Sequence, residues 1–405
     1  MAKTKVQDSG NAAAQADTDT GAERADAFDL LEAQMPVVGS TINPGVVIRD
    51  IEPFCASPDI TIKNAIGRID RNAEGLVLVV DSKRRLLGTV TDGDIRRAIL
   101  RGVDLNDRIQ TLLDDGIPRV YEKPITAPHD TSAVQLLRLM GETAVRHVPM
   151  TDENDRLVAL SLLSRFVQGQ GLPMRAVIMA GGLGMRLRPL TRETPKPMLQ
   201  VGDRPLLQRT IEGLRGAGIR NINITTHFQA EKIEEFIGDG SPFDAMVHYS
   251  HENEPLGTAG ALRQMQLDDD EPSLVINGDI LTTVNYAAML EYHREHKADL
   301  TVGVRHYTMT VPYGVVDCEG PLVREIREKP SVGLFVNAGI YLMESKVSRH
   351  IPEGRRFDMT DLISVLIAEG RRVVSFPIHE YWLDIGQHDD YERAQLDVAS
   401  GKLSA

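Results

Sequence analysis

The chain is predicted to be an α/β protein, with a mostly parallel mixed sheet in its carboxy-terminal part and a smaller α+β repeat before it. Three observations predict this. From residue 174 onward, short apolar runs alternate with amphipathic helical stretches, and crossovers of that length join parallel strands. Between about residues 44 and 168 a helix, strand, turn, strand, helix pattern occurs twice, which reads as an internal repeat. An apolar run at 176–180 leads directly into Gly181, Gly182 and Gly184, so backbone N–H groups can face an anion at a strand's carboxyl end.

Composition limits the classes of function. The 405 residues carry a formal net charge of −13, which disfavours a protein that coats nucleic acid, although a local cationic pocket can still take a small anion. No apolar run approaches the roughly 20 residues that cross a bilayer, so no membrane partner and a cytoplasmic location are expected. Cys55 and Cys318 are the only cysteines, too few for a disulfide framework or a thiolate metal cage.

In chain order, residues 1–40 are rich in Ala, Asp, Thr, Gln and Gly without sustained periodicity, and a flexible acidic leader is expected. A helix over 61–69 places Ile62, Ala65, Ile66 and Ile69 on one face. Strands over 76–80 and 86–90 flank a turn at 81–84, and Thr91-Asp92-Gly93-Asp94 opens a helix over 95–100. Asp94 stands at the mouth of that helix, where a carboxylate is favourable and can also reach a ligand hydroxyl. The second round runs through a helix at 133–140, strands at 147–150 and 157–160, and a helix after Ser161. Glycines and Pro173 mark 169–173 as a linker between domains at 41–168 and 174–405. Beyond it come helices over 206–216, 230–237, about 261–265 and 286–296, between strands at 221–225, 245–249, 274–277 and 300–304. The runs 315–317 and 322–325 read as an antiparallel insertion, and a helix over 391–398 follows.

Several side chains carry possible chemistry. Arg186 can fork onto phosphate oxygens, and Lys196 offers a point charge whose backbone is restricted by Pro195 and Pro197. The glycine loop is neither a P-loop nor a dinucleotide fingerprint: it lacks Gly-Lys-Ser/Thr, and Leu187 occupies the third glycine position. Asp279 follows Gly278 at the end of an apolar strand, and Asp384 sits between apolar neighbours. Together they form a hard-cation pair, although a lone Asp after a strand is more often a cap. Gly257, Thr258 and Gly260 open a helix whose N-terminus can approach a base or ribose, and Tyr313-Gly314 permits another close backbone approach. Glu328 and Lys329, near Asn337, are either a sugar hydroxyl and phosphate pair or an exposed charged turn.

Two resemblances rest on these motifs. GTVTDGDIRRA, 88–98, resembles the ending of a cystathionine-beta-synthase-type (CBS) domain, and 122–168 is a weaker second copy. Such domains pair, and the resemblance implies that Thr91 and Asp94 hold the ribose of an adenine nucleotide. The second copy has Ser161 and Ser164 where threonine and aspartate would stand, which argues against a second nucleotide site. A ligand-free pair that only packs and dimerises is the alternative.

Residues 174–396 resemble the sugar-1-phosphate nucleotidyltransferases through AGGLGMRLRPLT, PKPML, EPLGTAGAL, INGD, PYGVV, EKP, NAGIY and WLDIG. That resemblance implies a Rossmann-like domain in which Ala180, Gly181, Gly182 and Gly184 cradle nucleotide phosphates with Arg186 on their β/γ end. It further implies that Lys196 steadies the reacting phosphates, that Asp279 and Asp384 hold Mg²⁺, and that Gly257, Thr258 and Gly278 lie against the nucleotide. Tyr313, Gly314, Glu328, Lys329 and Asn337 would receive the sugar phosphate. A second, acyltransferase domain is not expected, because the sequence stops shortly after 398. The expected reaction joins an NTP, GTP foremost, to a mannose-, heptose- or glucosamine-type sugar 1-phosphate for surface polysaccharide, in a homo-oligomer. UTP, CTP, dTTP or ATP, a non-sugar phosphomonoester, or a non-catalytic sensor are the alternatives.

Overall fold

The computed structural model describes residues 46–114, 123–143, 145–166, 171–265 and 271–403. The expected leader at 1–40 and the first part of the expected linker lie outside them. The chain divides into two compact units. The first holds Met1–Asn72, Leu76–Val90 and Arg108–Gly169; the second holds Ala73–Gly75, Thr91–Asp107 and Gln170–Ala405. Residues 91–107 thus belong with the later part of the chain.

In the second unit the seven-stranded sheet runs, in space, Met246–His251, Asn221–Thr226, Arg175–Met179, Ser273–Asn277, Ser331–Met343, Leu300–Thr310 and Val373–Pro377. The first four pair in parallel, Ser331–Met343 is antiparallel to both its neighbours, and Leu300–Thr310 pairs in parallel with Val373–Pro377. This is the mostly parallel mixed sheet predicted from the crossovers. Alternation along the strands feeds two cores. Ala176, Ile178, Ile224 and Ile276 pack with Leu207, Ile211 and Met289 on one face, whereas Val177, Val275 and Tyr341 pack with Leu262, Leu362 and Leu366 on the other. Each buried Val, Leu, Ile or Met side chain among these contributes about 1.5–3 kcal/mol. Ile178→Ala, at the central strand, is therefore expected to cost roughly 2–5 kcal/mol once the cavity is included.

Several elements differ from expectation. The strand at Leu300–Thr310 continues well past 304, because it pairs along its whole length with Ser331–Met343, a strand the apolar pattern did not reveal. The helix expected around 261–265 is one α-turn, Gly257–Gly260, followed by a 3-10 turn, Ala261–Arg263. Among the described residues that follow Ser161, up to 166, there is no α-helix: the strand runs Leu157–Leu162, and a 3-10 turn covers Leu163–Arg165.

The first unit confirms the repeat at atomic level. Asp81 and Asp152 occupy equivalent turns, each accepting from backbone N–H groups two and four residues on: Lys83 at 2.7 Å and Arg85 at 2.9 Å, Asn154 and Arg156 at 2.9 Å. These bonds favour the ionised form and hold both carboxyls below the usual Asp range. Arg84 and Asp155 both take a left-handed φ, +63° and +59°, at matching turn positions. Among the described residues, no helix is long and apolar enough to cross a membrane.

Candidate active site

The central strand Arg175–Met179 delivers the chain into the glycine loop, where Ala180 N–H donates to the Thr225 carbonyl at 3.1 Å. The glycines have different tasks. Gly184 adopts φ +61°, and a Cβ there would stand 2.9 Å from Thr191 Cγ2 and 3.2 Å from Lys196 Cβ. The loop therefore folds tightly back onto Lys196, a fold only glycine fits without strain. A Cβ on Gly181 would meet Glu252 Oε1 at 2.9 Å, whereas one on Gly182 would meet nothing within 4 Å. The exposed Gly182 is the point where a ligand can approach the backbone.

Lys196 opens a short 3-10 turn between buried Pro195 and Pro197. Its ammonium pairs with the Asp279 carboxylate, and the two side chains are only 11% and 23% exposed. Asp279 is placed by the tight packing of Gly278, where a Cβ would lie 2.6 Å from the Met179 carbonyl oxygen. Just beyond, Ile280–Thr282 pairs antiparallel with Trp382–Asp384, setting Ile280 opposite Asp384, and Ile385 N–H donates to the Asp279 carbonyl at 3.0 Å. Arg186 Nη1, Asp384 Oδ1 and Asp390 Oδ2 each lie 3.6 Å from the Cβ position of Gly386. The structure thus brings Arg186, Lys196, Asp279 and Asp384 together at the carboxyl ends of the central strands.

The electrostatics of this group are unbalanced without a ligand. Asp384 reaches solvent, but the surrounding protein and the nearby charge of Asp279 push its carboxyl up from the ordinary Asp value, against the opposing pull of Lys196 and Arg186. A carboxylate raised by burial and by a second carboxylate forms, with that neighbour, a fitting donor set for a hard divalent cation. A shallow depression lined by Arg186, Gln387, His388 and Asp389 opens beside Arg186. A larger one, along the His388–Ala399 helix, contains none of the four convergent residues.

The other anticipated residues are distributed less tightly. The Gly257–Gly260 turn spends its N–H groups on protein: Thr258 donates to Asp358 Oδ1 at 2.9 Å, and Ala259 and Gly260 donate to the Phe357 carbonyl at 2.9 and 3.0 Å. Tyr313 (74% exposed), Gly314, Glu328 and Lys329 lie on the exposed hairpin of strands Val315–Glu319 and Leu322–Arg327. There a Cβ on Gly314 would sit 3.0 Å from Glu328 Oε2. Asn337 bonds Tyr341 and the Gly339 N–H, and Gly339 packs on Asn277, two residues before Asp279. Thr91 and Asp94 form a reciprocal capping box on the helix Asp92–Leu100, and Asp94 also pairs with Arg97 at 2.8 Å. Ser161 is fully buried, its hydroxyl bonded to the Val46 carbonyl at 3.2 Å.

Sequence reasoning missed Glu252. Its Oε2 accepts from Leu256 N–H at 2.9 Å, while Oε1 faces Gly181, so a carboxylate stands over the glycine loop. The available signal was an acidic residue just ahead of the EPLGTAGAL segment.

Residues 175–401, more than half of the chain, match the model of the nucleotidyl transferase family, and 48–101 and 120–160 match that of the CBS domain. The chain is 34% identical over 226 residues to the mannose-1-phosphate guanylyltransferase catalytic subunit beta of Danio rerio, covering 54% of this chain and 62% of that one. It is 33% identical over 234 residues to the mannose-1-phosphate guanylyltransferase of Mycobacterium tuberculosis, covering 56% and 65%. It thus spans less than two thirds of the length of these curated relatives. Among solved structures it is similar to HddC from Yersinia pseudotuberculosis, with 28% identity, 55% of this chain and 99% of that chain covered, and a TM-score of 0.45. Glycine loop, clustered cations and paired aspartates all lie within the matched stretch, and the chain belongs to the nucleotidyl transferase family.

Proposed function

We propose that the chain transfers a nucleoside monophosphate from an NTP, GTP foremost, to a mannose-type sugar 1-phosphate, releasing pyrophosphate. The observation that carries this reading is the convergence of Arg186, Lys196, Asp279 and Asp384 beside a glycine loop open at Gly182. In the reaction, a phosphate oxygen of the sugar 1-phosphate bonds to the α-phosphorus of the NTP. The bond from that phosphorus to the bridging oxygen of pyrophosphate breaks in line. The monoester is already ionised near neutral pH, so no protein nucleophile or base is required. The chain must instead overcome repulsion between two anions.

Lys196 and Arg186 supply that compensation, one as a point charge held between prolines, the other as a fork on the open side. Asp279 and Asp384 would hold Mg²⁺, whose role when bound is to neutralise charge on the reacting phosphates. Glu252 supports guanine as the base. The carboxylate faces Gly181 and repels phosphate at that end of the loop, so the phosphates are assigned to the end at Gly182 and Gly184, beside Lys196, rather than to Gly181. Guanine is the common base with two adjacent donors, N1–H and N2–H, on its pairing edge. Tyr313, Gly314, Glu328, Lys329 and Asn337 are proposed to receive the sugar phosphate, and Gly257 and Thr258 to back the nucleotide. The domain limits 41–168 and 174–405 belong to the same proposal.

The test is pyrophosphate release with Mg²⁺, crossing GTP, UTP, CTP, dTTP and ATP against mannose, heptose, glucosamine and glucose 1-phosphates, with Asp279→Ala as blank. GTP with a mannose-type acceptor is expected to dominate; a different dominant pair would replace the assigned substrates, and NTP binding without turnover on any acceptor would remove the reaction. A regulatory adenine nucleotide at Thr91 and Asp94 is a second proposal, motivated by the CBS match over 48–101. It must compete with the bonds that Asp94 makes to Thr91 and Arg97. AMP, ADP and ATP that neither bind nor alter turnover would end it, as would an unchanged response in Asp94→Ala.

A further inference from the structure

Arg96 is wholly buried, yet it carries a charge the active-site reading does not use. It lies on the helix Asp92–Leu100, which belongs to the second unit although it falls inside the CBS match. Its Nε donates to Asp92 Oδ2 at 2.5 Å, and its Nη2 to Asp92 Oδ1 at 3.0 Å and Glu380 Oε1 at 2.7 Å. Nη1 donates to the Pro377 carbonyl, and the guanidinium carbon sits 3.7 Å over the Phe376 ring. Glu380 in turn accepts from Asn285 N–H at 3.0 Å, the N-cap of the helix Tyr286–Glu295. Arg305 donates to the Ile378 and Glu380 carbonyls at 2.8 Å each.

Asp92, His379 and Glu380 offer ligand atoms within 4.8 Å of one another, the arrangement of a metal triad. The guanidinium already lies between both carboxylates, so the cluster has its cation. A charge network of this kind is a poor choice for stability alone, because apolar residues of similar volume often pack as well or better. What a planar fork adds is direction. The segment it grips, 376–380, ends one sheet strand and runs within four residues into Asp384 on Trp382–Asp384.

We propose that Arg96 is a positioning residue for nucleotidyl transfer: by gripping Pro377 and Glu380 it fixes the segment that presents Asp384, so a helix from the CBS-matching stretch completes the catalytic unit. The proposal rests on the reading of Asp384 as a metal ligand. Trp382, the chain's single tryptophan, provides a built-in reporter on the same strand, its indole N–H donating to the Ala338 carbonyl at 2.8 Å.

The test uses the full chain with Arg96→Lys, which keeps the charge and loses the fork, and Glu380→Gln, which keeps an acceptor for Asn285 and loses the charge. Turnover, substrate KM values, the Mg²⁺ concentration for half-activation and acrylamide quenching of Trp382 are measured well below the unfolding temperature. The expected result is a kcat lower by about tenfold to a hundredfold, the scale of a group displaced by up to an ångström. KM values should stay within about twofold, with a several-fold higher Mg²⁺ requirement and a more quenchable Trp382. Folded variants with unchanged kcat, Mg²⁺ requirement and quenching would overturn the proposal. So would failure of both variants to fold, which would make Arg96 a folding residue. Asp384→Asn separates the two claims: near-native turnover there removes the metal reading, while Trp382 quenching in Arg96→Lys still decides whether Arg96 holds the strand.

Discussion

Lys196→Ala removes the cation that pairs with Asp279 and leaves two aspartates facing each other. Lys196 and Asp279 are only 11% and 23% exposed, so the pair is screened less than a surface one. At an effective dielectric of about 20, charges roughly 4 Å apart attract by about 4 kcal/mol, but desolvation and side-chain entropy leave a net folding contribution nearer 1 kcal/mol. That corresponds to a Tm loss of about 2–4 °C for a domain of this size. In the proposed reaction the ammonium faces the transferring phosphoryl group in the transition state, and one such oriented contact is worth about 3 kcal/mol, or about 10²-fold in rate. The expected outcome is a kcat lower by about 10² or more, with a small thermal shift. Pyrophosphate release at saturating substrates gives the first number and a fluorescence melt the second. A kcat within about threefold of the native value would refute the assigned role of Lys196.

Gly184→Ala should cost about 1–3 kcal/mol in a urea melt and raise the KM for the NTP, because its φ of +61° and the 2.9 Å approach to Thr191 Cγ2 both oppose a side chain. A native midpoint would contradict this. Asp384→Asn tests the sign of an unfavourable charge. Burial and Asp279 raise the Asp384 carboxyl above its ordinary 3.8, so its ionisation opposes folding, and its contribution is lost as pH rises through the raised value. The metal-free variant is therefore expected to melt above the native protein at about pH 7, with the gain fading toward about pH 4, while turnover falls by about 10². A lower melting temperature at the higher pH would contradict it. Glu252→Gln should raise the KM for GTP by about tenfold or more and narrow the preference over ATP, as one charged acceptor is lost from a paired contact. An unchanged base preference would remove Glu252 from base reading.

The parallel core was readable because strands such as Arg175–Met179 and Ser273–Asn277 put apolar residues on both faces, while Asn221–Thr226 carries Ile222 and Ile224 on one. Ser331–Met343 escaped notice because its first half is exposed and its pattern resolves only through pairing with Leu300–Thr310. Lys196 and Asp279 were legible from local chemistry: flanking prolines in one case, a strand end and glycine in the other. Glu252 and Arg96 were not, since their meaning lies in partners brought together by the fold. Glu252 stands over a glycine 71 positions earlier, and Arg96 reaches Glu380 across 284 positions. Thr91 and Asp94 were placed correctly at a helix start, but sequence could not show that each would take the other as its partner.

The most direct test of the account is a ³¹P NMR time course with GTP, mannose 1-phosphate and Mg²⁺. Phosphoryl transfer as proposed predicts loss of the monoester signal in step with two coupled diphosphate signals of a nucleotide sugar and one equivalent of pyrophosphate. GDP and orthophosphate appearing while mannose 1-phosphate persists would contradict it, because the four convergent residues would then serve hydrolysis instead of transfer to a sugar.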